Sequence, residues 1–145
     1  MAIKDTSKQA KRPLAFRVRP ETAEQLQQRA RELGETQTAL VERYIEEGIR
    51  IDRHPLIYFR DGAGGREPAM FGSGLRVWQV IDTLRQNGNS VADVADLLEL
   101  PAWRIEACVA YYADYQDEVD AAIADAHALA EREEARWRRQ QQLLA

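Results

Sequence analysis

The chain has 145 residues and a formal net charge of −4, from 20 basic and 24 acidic side chains. With 45% hydrophobic and 30% charged residues it is globular in composition, which excludes a disordered or fibrous chain. One cysteine excludes an internal disulfide framework, and no apolar run approaches the roughly 18 residues of a membrane helix. The charge is unevenly spread. Residues 1–20 hold Lys4, Lys8, Lys11, Arg12, Arg17 and Arg19 against Asp5, a net of +5, and the remainder nets −9. A basic arm on an acidic body points to an anionic partner for the arm. The N-terminus is charged and lacks the apolar stretch of a secretory signal, so a cytoplasmic protein is expected.

Residues 1–12 are too poor in large apolar groups to build a core and read as a mobile basic arm. Leu14 to Arg19 then alternates apolar and polar, the period of a half-buried strand. Leu14, Phe16 and Val18 share one face; Ala15, Arg17 and Arg19 share the other. Pro20 suits the first position of a helix, whose stripe is Ala23, Leu26, Ala30 and Leu33. Gly34 is a C-cap candidate and Thr36 an N-cap candidate for a second helix running to about Arg50.

Residues 51–55 read as a linker. Leu56–Phe59 and Ala69–Phe71 flank a Gly-rich turn, Asp61–Gly65, which predicts a small β-hairpin. Four helices are expected next: Leu75–Gln86, Val91–Leu98 capped by Ser90, Ala102–Ala113, and a long one from about Gln116. Gly88 and Pro101 punctuate them. The expected fold is mainly α: residues 13–50, then a hairpin and helical domain over 56–125, then a helical extension over 126–145.

A strand and two helices are too small to stand alone, and pairing two copies solves that. Residues 13–50 resemble the ribbon-helix-helix domain of bacterial repressors in the strand Leu14–Arg19, the Pro20-Glu21 helix start, Ala30–Gly34, and Thr36–Leu40 opening the second helix. The resemblance implies a dimer whose two-stranded ribbon enters the DNA major groove. The expected dimer core is Leu14, Phe16, Val18, Leu26, Leu40 and Tyr44. The expected DNA contacts are Ala15, Arg17 and Arg19, with Lys11 and Arg12 on phosphate. Arg17 is the best candidate for guanine. Thr36, Gln37 and Thr38 stand where the family grips phosphate with a helix N-terminus. Glu35 departs from the pattern, since a carboxylate there opposes phosphate.

Residues 54–125 resemble domain-of-unknown-function family 433, small bacterial proteins often encoded beside PIN-like ribonuclease toxins. The carrying residues are His54-Pro55, Gly72–Trp78, Leu84–Val91, Ala110–Tyr115 and Glu118–Asp120. Gly74 stands where the family has arginine, and Glu99-Leu100-Pro101 departs from its usual Tyr-Pro. Residues 88–112 have a helix-turn-helix shape, yet residues 54–145 hold nine basic against fifteen acidic groups. DNA affinity rests chiefly on phosphate neutralisation, so this half is expected to bind protein. Trp137, Arg136, Arg138 and Arg139 beyond the packed part of the last helix are the candidate toxin contacts, and a solvated helix end whose arginines pair with Glu131, Glu133 and Glu134 is the equal alternative.

Enzyme chemistry is not expected. His54 and His127 lack zinc spacing, and Asp61–Gly65 lacks the lysine of a phosphate loop. Asp114, Asp117, Glu118 and Asp120 form an acidic cluster that could in principle hold a metal, but Asp117 and Glu118 read better as first-turn acids that favour the helix dipole. Cys108 reads as buried and inert. No cofactor is expected. The leading expectation is a type II antitoxin that represses its own operon as a dimer on operator DNA and neutralises a PIN-like ribonuclease. The alternative is a stand-alone repressor whose C-terminal domain only oligomerises it.

Overall fold

The structure is a computed structural model and describes residues 10–145. Most of the expected basic arm therefore lies outside the described residues. The order is α1 (Pro20–Leu33), α2 (Gln37–Arg53), β1 (Ile57–Gly62), β2 (Gly65–Met70), α3 (Val77–Gln86), α4 (Val91–Leu98), α5 (Ala102–Asp114) and α6 (Gln116–Leu144).

Local chemistry sets most boundaries. Pro20 opens α1, and Gly34 closes it in the left-handed region at φ 64°, returning its N–H to Ala30 and Arg31. The Thr36 hydroxyl caps α2 by accepting from the Ala39 N–H at 3.1 Å. Ser90 caps α4 in the same way through Asp93. The hairpin is tighter than expected. Its register pairs Ile57 with Met70 and Gly62 with Gly65, leaving only Ala63 and Gly64 as the turn. α3 begins two residues later than its periodicity suggests. Leu75 accepts from the Met70 N–H at 2.7 Å, and Arg76 forms a bridge to Ala69, so both stay extended beside β2.

The core lies in the C-terminal two thirds. Ile57 and Met70 of the hairpin meet Val77, Val80 and Ile81 of α3, Val94 of α4, Ile105 and Tyr111 of α5, and Val119 and Ile123 of α6. Between residues 10 and 53, only Ala30 and Leu40 are buried.

Three expectations need correction. Residues Leu14–Arg19 are not a strand in this chain. A strand is defined by its ladder, and among the described residues the only ladder is β1 with β2. Of the expected dimer core, Leu40 is buried and Leu26 half-buried, but Leu14, Phe16, Val18 and Tyr44 are exposed. A single chain has nothing to cover them. Finally, Ile51–Arg53 are not linker but the last turn of α2, which the His54 N–H closes onto Arg50 at 2.8 Å. Pro55 ends the helix, not the residues before it.

Candidate nucleic-acid and partner-binding surfaces

Phe16 and Val18 turn toward α1 and α2. With Leu26, Val41, Tyr44 and Ile45 they line a mostly apolar groove of about 650 Å³. Ala15, Arg17 and Arg19 do not line it and are exposed. Phe16 and Val18 are thus segregated from Ala15, Arg17 and Arg19 as the alternation predicts, but Leu14 does not line the groove and is exposed, and no ladder forms. The apolar stripe continues along α2 through Val41, Tyr44, Ile45, Gly48 and Ile49, one helical face. A side chain placed at Gly48 would meet nothing within 4 Å.

The cations at this end are not equivalent. Arg12, Arg17 and Arg19 are exposed and in no ion pair among the described residues. Lys11 reaches back to α2, where its ammonium pairs with Glu42 at 2.8 Å. That hydrogen bond raises the Lys11 pKa above its ordinary value. Lys11 is therefore a weaker phosphate candidate than its position in the sequence suggests. Gln37 and Thr38 are exposed in the first turn of α2, where backbone N–H groups have no intrahelical acceptor. The Glu35 carboxylate beside them is held by Arg43 at 2.9 Å, which offsets its repulsion of an anion.

Arg43 belongs to a longer row. Glu47 lies within 4.0 Å of it and takes Arg66 of β2 at 2.7 Å, and Arg66 also meets Asp61 at 3.2 Å and donates to the Phe59 carbonyl. The row ties the start of α2 to the hairpin.

A second joint, not anticipated from the sequence, fixes the end of α2. Arg50 donates to the Tyr111 hydroxyl at 2.8 Å and to Glu118 at 2.6 Å, and its guanidinium lies 4.1 Å from the centre of the Tyr115 ring. Burial works against its charge, but Tyr111 and Glu118 outweigh that, so its pKa is raised. Burial likewise raises Tyr111, which keeps that phenol neutral. One turn on, the His54 ring is 2.8 Å from Asp114 and stands edge-on to Tyr111. His54-Pro55, the Tyr111 to Tyr115 stretch and Glu118 are visible in the sequence as separate motifs. Their mutual contact spans about 60 positions and leaves no local signal.

The acidic cluster is dispersed. Asp114 faces His54, Glu118 faces Arg50, and Asp120 faces Arg85. Among the described residues, no group of three His, Cys, Asp or Glu side chains could hold a metal ion. Cys108 is buried, and loss of solvent pushes its thiol up to about 12.

The remaining exposed surface is helical. α5, second helix of the helix-turn-helix shape, exposes Ala102, Trp103, Glu106, Val109, Ala110 and Ala113. That face carries one carboxylate and little to grip phosphate. Trp137, Arg136, Arg138 and Arg139 are all exposed on α6, where Arg138 pairs with Glu134. Among the described residues no helix is long and apolar enough to cross a membrane. No family model, curated protein or solved structure matches the chain.

Proposed function

We propose that the chain is a type II antitoxin: a ribbon-helix-helix dimer that binds operator DNA and a C-terminal half that neutralises a toxin. The observation that carries the dimer is the groove beside Phe16 and Val18, continuous with the exposed stripe of α2. Apolar area left in water costs about 25 cal/mol per Å², and a second copy presenting the same surface removes it. Two segments 14–19 then pair antiparallel, each supplying the ladder the other lacks, and Ala15, Arg17 and Arg19 face outward together. Width and chemistry suit the major groove, with Arg17 on guanine and the α2 N-terminus on phosphate.

The toxin rests on the resemblance of residues 54–125 to family 433 and on the solvated arginines around Trp137. PIN-like ribonucleases use clustered carboxylates with a divalent metal, and Arg136, Arg138 or Arg139 inserted there would occupy the site. The α5 face, largely uncharged, suits protein rather than DNA.

Arg17→Ala tests the DNA half. It is expected to remove preference for the operator over unrelated duplex, a loss of about 1–3 kcal/mol of discrimination at fixed salt. Unchanged preference, measured by competition binding, rejects the ribbon. Co-expression with the adjacent gene product tests the toxin half: a chain ending at Ala130 is expected to copurify less and to leave ribonuclease activity uninhibited.

A further inference from the structure

A cleft of about 680 Å³ runs between α6 and the hairpin. One wall is the α6 face with Ala122, Asp125, Leu129 and Arg132, and the other is β2 at Glu67 and Pro68, with Arg76 and Trp78 where α3 begins. That volume is typical of a binding site. Leu129 is 47% exposed, and Trp78 is half-buried with its back to the core. The charges along the cleft are not equivalent. Arg76 pairs with Glu67, Arg66 with Glu47, and Glu118 with Arg50. Asp125 and Arg132 are exposed and in no ion pair among the described residues.

The α6 wall continues past the cleft. At the helical advance of roughly 100° per residue, Ala122, Asp125, Leu129, Arg132 and Arg136 fall within about 40° of one line, and Arg139 about 60° from it. Arg136 and Arg139, like Arg132, are exposed and in no ion pair among the described residues. Arg138 points the opposite way and is held by Glu134. Trp137 stands about 100° from the line and takes no part in this face. Glu131 and Glu134 lie behind it, and Glu133 is about 60° from the line on the side away from Arg139. The face therefore has a direction. It begins with the free carboxylate of Asp125, passes the apolar Leu129 and Trp78, and ends in three free guanidinium groups spread over about 10 Å of helix.

We infer that this face docks a peptide segment of a partner protein that carries a base at one end, apolar side chains in the middle and carboxylates at the other end. The base meets Asp125, the apolar part fills the cleft over Leu129 and Trp78, and the carboxylates meet Arg132, Arg136 and Arg139. Charge complementarity selects this occupant, because the two ends of the face have free charges of opposite sign. A nucleic acid is the poorer match. Its affinity rests on net phosphate neutralisation, and residues 131–145 hold four arginines against three glutamates, a net of +1. A guanidinium fork on a carboxylate is a short-range, bidentate contact that needs no large net charge. The cleft and the arginine row are separate from the Phe16 groove and the α2 stripe, so the inference stands without the DNA reading. It also goes beyond the antitoxin reading, since it names a segment chemistry and a face that excludes Trp137 and Arg138.

The test uses the full chain without DNA or toxin. The probe is a fluorescein-labelled synthetic peptide with a lysine at one end, alternating leucine and alanine in the middle, and three glutamates at the other end. Binding is read by fluorescence anisotropy at fixed salt. The expected result is saturable binding, weakened about tenfold when Arg132→Glu and Arg136→Glu are combined. A second peptide with lysines in place of the glutamates is expected to bind that double variant better than it binds the unaltered chain. This reciprocal gain excludes misfolding as the cause of the loss. Leu129→Glu is expected to weaken the first peptide as well, because the cleft and the row act on one segment, while Trp137→Ala leaves it unchanged. The proposal is overturned by the absence of saturable binding, by an affinity that the double variant leaves unchanged, or by one that Leu129→Glu leaves unchanged. It is also overturned if a single-stranded oligonucleotide binds more tightly than the peptide and loses that binding in the double variant. Toxin neutralisation is scored separately by copurification, so either result can fail alone.

Discussion

Arg50 sits between the Tyr111 hydroxyl, the Glu118 carboxylate and the Tyr115 ring, with its side chain 23% exposed. Removing it leaves a buried phenol and a carboxylate without their donor. Unsatisfied partners cost more than the net value of the bond they lose. Arg50→Ala is therefore expected to destabilise the fold by about 1–3 kcal/mol, discounted for partial exposure, as read from the urea midpoint. Arg17, equally an arginine, is exposed and in no ion pair among the described residues, and Arg17→Ala is expected to leave that midpoint unchanged. Cys108 makes a different prediction. Its folded pKa of about 12 lies above the ordinary 9.0, so the folded chain keeps a proton the unfolded chain releases. Stability is thus intact below pH 9, and is lost as pH rises from there toward 12. Tyr111, raised by burial, acts in the same direction. Urea midpoints across pH 8–11 check this, and thiol reagents at pH 8 are expected to react only at the rate of unfolding.

At the scale of elements, α2 has two separate duties. Its first turns hold the α1 packing through Leu40, and its last turns are bound to α5 and α6 through Arg50 and His54. Between them lies the exposed stripe with Gly48 at its centre. A side chain at Gly48 meets open space and needs no unusual backbone angle, so Gly48→Trp is expected to leave helix content unchanged. If two α2 helices cross there, the indole blocks the crossing and the dimer falls apart by at least tenfold in dissociation constant. Sedimentation of the variant beside its circular dichroism separates the two effects. A dimer that persists unchanged places the contact elsewhere.

For the whole molecule, α6 sets the shape. Its 29 residues span roughly 44 Å at 1.5 Å per residue, yet only Val119 and Ile123 are buried. Residues 131–145 contribute no buried group. A chain ending at Ala130 is accordingly expected to keep its stability within about 0.5 kcal/mol, as surface changes do, while losing the functions assigned to the arm. An equal loss of stability and binding would show the arm to be structural.

Much of the helical order was legible, because its signals are local. Gly34 and Thr36, Ser90, and Pro101 each stop or start a helix by chemistry confined to a few neighbours. The amphipathic stripes that identify α3 to α6 are likewise properties of consecutive residues. The end of α2 was not, since Ile51 to Arg53 suit helix or linker alike and contact with the body decides between them. The Arg50 and His54 joint was illegible for a plainer reason: its members lie about 60 positions apart, and no pattern along the chain records that distance. For residues 15–19 the alternation separated Phe16 and Val18, which face the groove, from Ala15, Arg17 and Arg19, which face water, while Leu14 stays exposed. Whether those residues form a strand is decided by a partner for their N–H and C=O groups. The sequence by itself determined the helices, their caps, the acidic body and the separation of faces, since each follows from neighbours in the chain. Only the tertiary structure decided that α2 is welded to α5 and α6, and that the groove, the α5 face and the distal half of α6 are left open. Burial depends on what other elements reach, and the apolar surface they do not reach is what remains for a partner.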